Sequence, residues 1–283
     1  MNTLENWMLI ASIISLGLSI IASVWRFVAF KTAATEAGTQ NLSIASSERL
    51  PSYLTLAMLI AGLTGVTITV LVRAITAGHG PFSNMYEFSI AFAWGILAVG
   101  IYFWWRYRLF ILVTVGSLIA LGLLVFASSL PSKIVPLVPA LQQSLLLTVH
   151  VASAVISYGA FTISFAAAIA YLVRSNPENS QTKEVAILDR VGYQGVTLGF
   201  IFMTLVIILG ALWADIAWGR YWGWDPKETA SLIAWLLFAA YLHTRVMRGW
   251  RGRKSAVLLI IGFIAVIFTF LGNYIFMGLH SYS

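Results

Sequence analysis

The chain has 283 residues, is 60% hydrophobic and 10% charged, and has a mean hydropathy of +0.88, which excludes a soluble globular fold and points to a polytopic helical membrane protein. Its formal charge of +7 does not imply nucleic acid, because the basic residues sit in short connections between apolar runs. It has no cysteine, so disulfide exchange, Fe–S ligation and thiolate metal sites are excluded for this chain acting alone.

Eight apolar segments are long enough to cross a bilayer core, which takes about 20 helical residues. They lie near 8–30, 51–76, 85–105, 109–126, 141–173, 191–213, 227–247 and 255–279. The expected fold class is therefore all-α, a polytopic transmembrane bundle of about eight spans forming one integral-membrane domain over 1–283. The first segment has no basic stretch before it and no convincing small-residue cleavage site, so it reads as a retained span. With the N-terminus outside, only Arg73, Lys133, Arg220 and Lys227 of the 17 basic residues fall on the outer side. The positive-inside rule then places both termini on the periplasmic or lumenal side.

The connections differ in character. Residues 31–50 read as a polar cytoplasmic loop rich in Ser, Thr and Ala. Residues 77–85 form an outer turn, Ala77-Gly-His-Gly-Pro-Phe-Ser-Asn84, in which Asn84 and Glu87 have the spacing of a helix-capping box. The outer loop 128–142 holds Pro131, Pro136 and Pro139 and is apolar for an exposed loop, as if it covered something or lay on the membrane. A cytoplasmic connector follows at 175–190 and a short basic one at 248–254.

The outer segment 214–228 is the most informative stretch. Trp218, Trp222 and Trp224 fall within seven residues and alternate with Gly219 and Gly223. Rings at this density suit an aromatic shelf whose backbone lets a large planar ligand come close, although an ordinary interfacial belt uses the same residues. Asp225, Pro226 and Glu228 read as N-cap, first helical position and N3 of the seventh helix, a structural role that also fixes the shelf to a rigid element.

Four histidines separate by depth. His150 lies near the outer end of the fifth span and His280 just beyond the last. His243 stands 18 residues past Asp225, about 27 Å down the seventh helix, toward the cytoplasmic side. His79 is in the outer turn, where Gly-His-Gly-Pro explains itself locally. Imidazoles in membrane helices face cavities, partners or metals, or serve as hydrogen-bonded packing residues. His150 and His280, at the depth of the aromatic segment, suggest a planar metallo-cofactor held from both axial faces, and haem fits. His150 also shares a small-residue stripe with Ser153, Ser157 and Ser164 that lets another surface approach.

These residues carry a resemblance. Trp218-Gly-Arg-Tyr-Trp-Gly-Trp-Asp-Pro-Lys-Glu-Thr229, followed by Trp235 and Tyr241-Leu-His-Thr-Arg245, resembles the WWD signature of haem-handling membrane proteins. Within that superfamily it is most similar to the CcsA/ResC family of system II cytochrome c biogenesis, in its cyanobacterial and plastid form. Pro81–Glu87 and Gly278–Tyr282 also look like the family, so the resemblance runs from about His79 to the C-terminus. It implies that haem b is bound as a substrate or intermediate. The external iron ligands would be His150 and His280, with Trp218, Trp222, Trp224, Gly223 and Asp225 around the haem. His243 would be the ligand of haem in transit within the membrane, and His79 receives no role. The implied partners are a CcsB/ResB-type membrane protein, apocytochrome c with its Cys-x-x-Cys-His segment, and a thioredoxin-like reductant. The implied activity is that of a component of a cytochrome c synthetase, in a thylakoid membrane in preference to a plasma membrane. The alternatives are haem delivery of the CcmC type and a haem permease without an attachment role.

Overall fold

A computed structural model describes residues 3–36, 41–134, 144–175 and 182–275. It contains eight helices: α1 (Thr3–Glu36), α2 (Asn41–Ala77), α3 (Met85–Tyr107), α4 (Phe110–Ser128), α5 (Ser144–Arg174), α6 (Lys183–Trp218), α7 (Pro226–Met247) and α8 (Arg253–Ile275). All eight are long and apolar enough to cross a membrane, and no strand occurs among the described residues. The all-α, multi-span class expected from hydropathy is what the chain adopts.

The helices run past the spans. Most of the expected loop 31–50 is helical, belonging to the end of α1 and the start of α2. The reason is that polarity ends a membrane span without breaking a helix, and Ala, Glu and Leu remain good helix formers in water. Likewise α6 starts at Lys183, where the Thr182 side chain accepts from Val185 N, and runs to Trp218 before Gly219 turns it at φ 71°. Residues 214–218 of the tryptophan segment are therefore helix and not loop.

The central helix is α5, whose apolar window is 72% buried, against 17% for α7. Its small residues explain the depth. A Cβ on Gly159 would stand 2.7 Å from Gly95 O of α3, and one on Gly195 of α6 would stand 3.0 Å from Ala160 O. Ser157 Oγ donates to Gly199 O at 2.8 Å. The surface that approaches the serine stripe is thus α6 of the same chain. Phe161 then stacks on Phe238 of α7, with ring centroids 3.8 Å apart.

Each end of the bundle is locked by charge. At one end Arg73 is fully buried and donates through Nε to Glu87 Oε1 at 2.9 Å. Its Nη1 donates to Ser132 O at 2.7 Å and lies 3.6 Å from Glu5 Oε1. Tyr86 Oη donates to Glu5, while Ser83 N and Oγ both donate to Glu87 Oε2. This cluster ties α1, α2, the start of α3 and the described start of the 128–142 loop into one unit. At the other end Arg245 forks onto Asp189 at 2.7 and 2.6 Å, and Gly252 N donates to the same carboxylate at 3.0 Å. That fork joins α6, α7 and the α7–α8 turn.

Candidate functional site

The tryptophan turn is built from its caps. Asp225 Oδ1 accepts from Lys227 N at 2.8 Å and Glu228 N at 3.3 Å. Glu228 Oε2 reaches back to Asp225 N and to Gly223 N, at 3.2 and 2.8 Å, completing a capping box with Pro226 in the first turn. Both carboxylates are buried, and their work here is structural, as the spacing suggested. The glycines have local reasons. Gly219 takes the left-handed conformation that ends α6, and a Cβ on Gly223 would meet the Arg220 guanidinium at 3.0 Å.

The rings do not form a single flat shelf. Trp218 meets Trp213 edge-on at 4.8 Å and 74°, and Trp222 meets Trp224 at 5.8 Å and 85°. Trp224 adopts φ 56°, rare for a bulky residue, and is 70% exposed. Trp222 turns inward and lines a cavity, and its buried Nε1–H has no hydrogen-bond partner among the described residues. Composition shows how many rings are present, but their planes follow from the turn.

That cavity is the centre of the site. It encloses about 1020 Å³ of space, part of it open to solvent, between the starts of α3, α5 and α7 and the ends of α6 and α8. Its walls are mainly apolar, with Phe82, Phe88, Phe92 and Phe270 among them. The polar groups in its wall are those of His150, Tyr158, Tyr221, Trp222, Lys227, Glu228, Ser231 and Thr269.

His150 is half-buried in the second turn of α5. Its Nδ1 lies 3.0 Å from Val206 O of α6. A carbonyl can only accept, so that bond puts the proton on Nδ1 and makes Nε2 the nitrogen with a lone pair for a metal. Gly210, one turn further along α6, cradles the ring, since a Cβ there would stand 2.9 Å from His150 Cε1. Gly210 and Lys227 had no functional reading from sequence; the first could be found only by knowing which residue packs opposite, and the second was absorbed into the cap.

The other histidines are apart from this cavity or outside the described residues. His280 lies outside the described residues. His79 Nδ1 sits 2.8 Å from Gly80 O, and its ring lies 5.8 Å from the Phe82 centroid, a local turn contact. His243 is exposed near the far end of α7, on an outward stripe with Ile233, Leu236 and Met247. Among the described residues no three His, Asp or Glu side chains converge as a cage for a metal ion.

Fold and site define a polytopic membrane protein with a histidine-bearing, aromatic-walled cavity at one end of its bundle. The chain belongs to the cytochrome c assembly protein family, whose model matches residues 82–280, and its role is in cytochrome c biogenesis. It is 38% identical over 251 residues to the cytochrome c biogenesis protein CcsA of Guillardia theta, covering 78% of this chain and 83% of that one. With CcsA of Chlamydomonas reinhardtii it shares 41% identity over 230 residues, covering 77% and 65%. With CcsA of Microcystis aeruginosa it shares 35% over 286 residues, covering 78% and 87%. Among solved structures, cytochrome c heme lyase CcmF superposes with a TM-score of 0.60 at 17% identity. That match covers 93% of this chain but only 47% of the other, so the likeness is one of fold.

Proposed function

We propose that this chain holds haem b as a substrate in the cavity beside the tryptophan turn and presents it for covalent attachment to the Cys-x-x-Cys-His segment of apocytochrome c. The observation that supports this reading is the placement of His150 in the cavity wall, with Nδ1 3.0 Å from Val206 O and Gly210 against the ring, so that Nε2 is the nitrogen that would bind a metal. The Nε1–H of Trp222, unpartnered among the described residues, and the aromatic walls suit a flat, largely apolar ligand. His280 is the opposite axial ligand. Trp222 forms part of the wall, while Trp218, Gly223, Trp224 and Asp225 shape and fix the turn at its mouth.

The chain's own part is positional. It binds the ligand, sets its tilt through His150, and excludes water from one face with phenylalanine side chains. The bond chemistry lies between the substrates: each thiol S–H adds across a vinyl C=C, sulfur to one carbon and hydrogen to the other. A thioredoxin-like reductant keeps those thiols reduced, since this chain carries no cysteine.

His243 serves haem in transit. An imidazole among exposed Ile233, Leu236 and Met247 is poorly placed against lipid alone, and well placed against a CcsB/ResB-type partner that supplies the opposite ligand. On this reading the cavity opens to the lumen or periplasm, both termini lie on that side, and the membrane is the thylakoid. The test is a haem absorption spectrum of detergent-purified protein, with and without the partner, for His→Ala variants at positions 79, 150, 243 and 280. Loss at 150 and 280, partner-dependent loss at 243 and no loss at 79 is the expected pattern. Haem retained undiminished in the His150 and His280 variants sinks the proposal.

A further inference from the structure

We infer that Lys227 is the anion-binding residue of the cavity, taking a carboxylate carried on a flexible arm of a flat apolar ligand. The ligand's identity as haem rests on the function proposed above, and the carboxylate is then a haem propionate; the site itself stands on the residues around it.

Lys227 is the second residue of α7, half-buried, and lines the same cavity as His150. Its Nζ lies 5.1 Å from the centroid of the Phe88 ring on α3, and no ion pair to it occurs among the described residues. The two carboxylates nearest in sequence accept their hydrogen bonds from backbone N–H groups, so Asp225 acts on the ammonium through its charge and not through a direct ion pair. Asp225 Oδ1 caps the Lys227 and Glu228 backbone N–H groups, and Glu228 Oε2 takes the Gly223 and Asp225 N–H groups. The ammonium therefore faces a mainly apolar chamber, with an aromatic ring as its close neighbour and no carboxylate within ion-pair distance among the described residues. Burying an ammonium this way is unfavourable unless an anion completes it. The remaining wall is too apolar for a multiply charged, strongly hydrated anion such as a free phosphate. A carboxylate attached to an apolar body satisfies both the cation and the walls.

The placement also gives a positioning role. Lys227 starts α7 while His150 belongs to α5, so the two residues hold a ligand at two points from separate elements. One axial contact leaves a flat ligand free to spin about the metal–nitrogen bond, and a second, charged contact at the rim stops that rotation. In a porphyrin with propionates on one edge, fixing that edge fixes where the vinyl-bearing edge points. Lys227 is thus a positioning residue for the edge offered to the thiols.

The test is titration of the ligand-free full-length protein with metal-free protoporphyrin IX and with its dimethyl ester, followed by tryptophan quenching. Wild type is expected to prefer the diacid by about tenfold or more, the size of one charged hydrogen bond. Lys227→Gln and Lys227→Met are expected to bind both forms equally, and Lys227→Arg to keep the preference. The capping bonds use the Lys227 backbone N–H, so they survive all three substitutions. Undiminished preference in both neutral variants, or no preference in wild type, overturns the inference. Because the probe lacks iron, the diacid-to-ester ratio carries no contribution from axial ligation. Failure of the haem reading would appear in the iron titration alone, and failure of the Lys227 inference in the diacid-to-ester ratio.

Discussion

Replacing Gly210 with Ala separates the geometry of the site from the stability of the fold. The added Cβ would stand 2.9 Å from Cε1 and 3.3 Å from Nδ1 of His150. Carbon–carbon contacts are most favourable at about 3.5–4.0 Å, so the ring must retreat by roughly 0.6–1 Å. That retreat stretches the 3.0 Å contact from Nδ1 to Val206 O past hydrogen-bonding range. The direct loss is about 1 kcal/mol. The larger effect is on Nε2, because disturbing the outer bond of a metal-bound imidazole costs about 10–100-fold in affinity. The helix itself gains, since Ala is favoured over Gly in a helix interior by about 1 kcal/mol. Gly210→Ala is therefore expected to unfold at the same temperature as wild type or higher, while haem affinity falls about tenfold or more. Thermal denaturation and haem titration on the same detergent preparation measure both. Unchanged affinity with an unchanged spectrum would refute the role given to the cradle.

Further outcomes follow from the same contacts. Arg73→Met leaves Glu5 and Glu87 buried without their cation, and is expected to destabilise the protein by about 3–5 kcal/mol. Adding Glu5→Gln and Glu87→Gln should recover most of that loss in a thermal-shift assay. Asp225→Ala removes both caps from the start of α7 and should cost about 1 kcal/mol, with loss of haem retention exceeding what that stability change explains. Trp222→Phe is expected to weaken haem retention, whereas Trp224→Phe, at an exposed position, should leave haem retention intact.

The spans were readable because mean hydropathy over about 20 residues reports directly on bilayer crossing. The ends of α1, α2 and α6 were not, since helix continuation obeys propensity and capping and is indifferent to polarity. The cap of α7 was legible because Asp225, Pro226 and Glu228 are neighbours in sequence and act within one turn. The charge cluster was not: Tyr86 and Glu5 stand 81 residues apart, and Arg73 read only as one of four outer basic residues. His150 was visible as an imidazole in a span, but its partner at Val206 is 56 residues away. For the tryptophans, composition gave number and neighbourhood. The perpendicular pairing, the inward turn of Trp222 and the packing of Gly223 under Arg220 depend on a left-handed Trp224 that nothing local announces.

The central claim is that His150 binds the iron of haem through Nε2 in the cavity behind the tryptophan turn. Its most direct measurement is the spectrum of a His150→Gly variant loaded with haem, with and without added imidazole. Free imidazole can occupy the space that the side chain vacates, so low-spin six-coordinate haem should be lost in the variant and restored by millimolar imidazole. A His150→Gly protein that retains the wild-type low-spin spectrum with no imidazole present would contradict it.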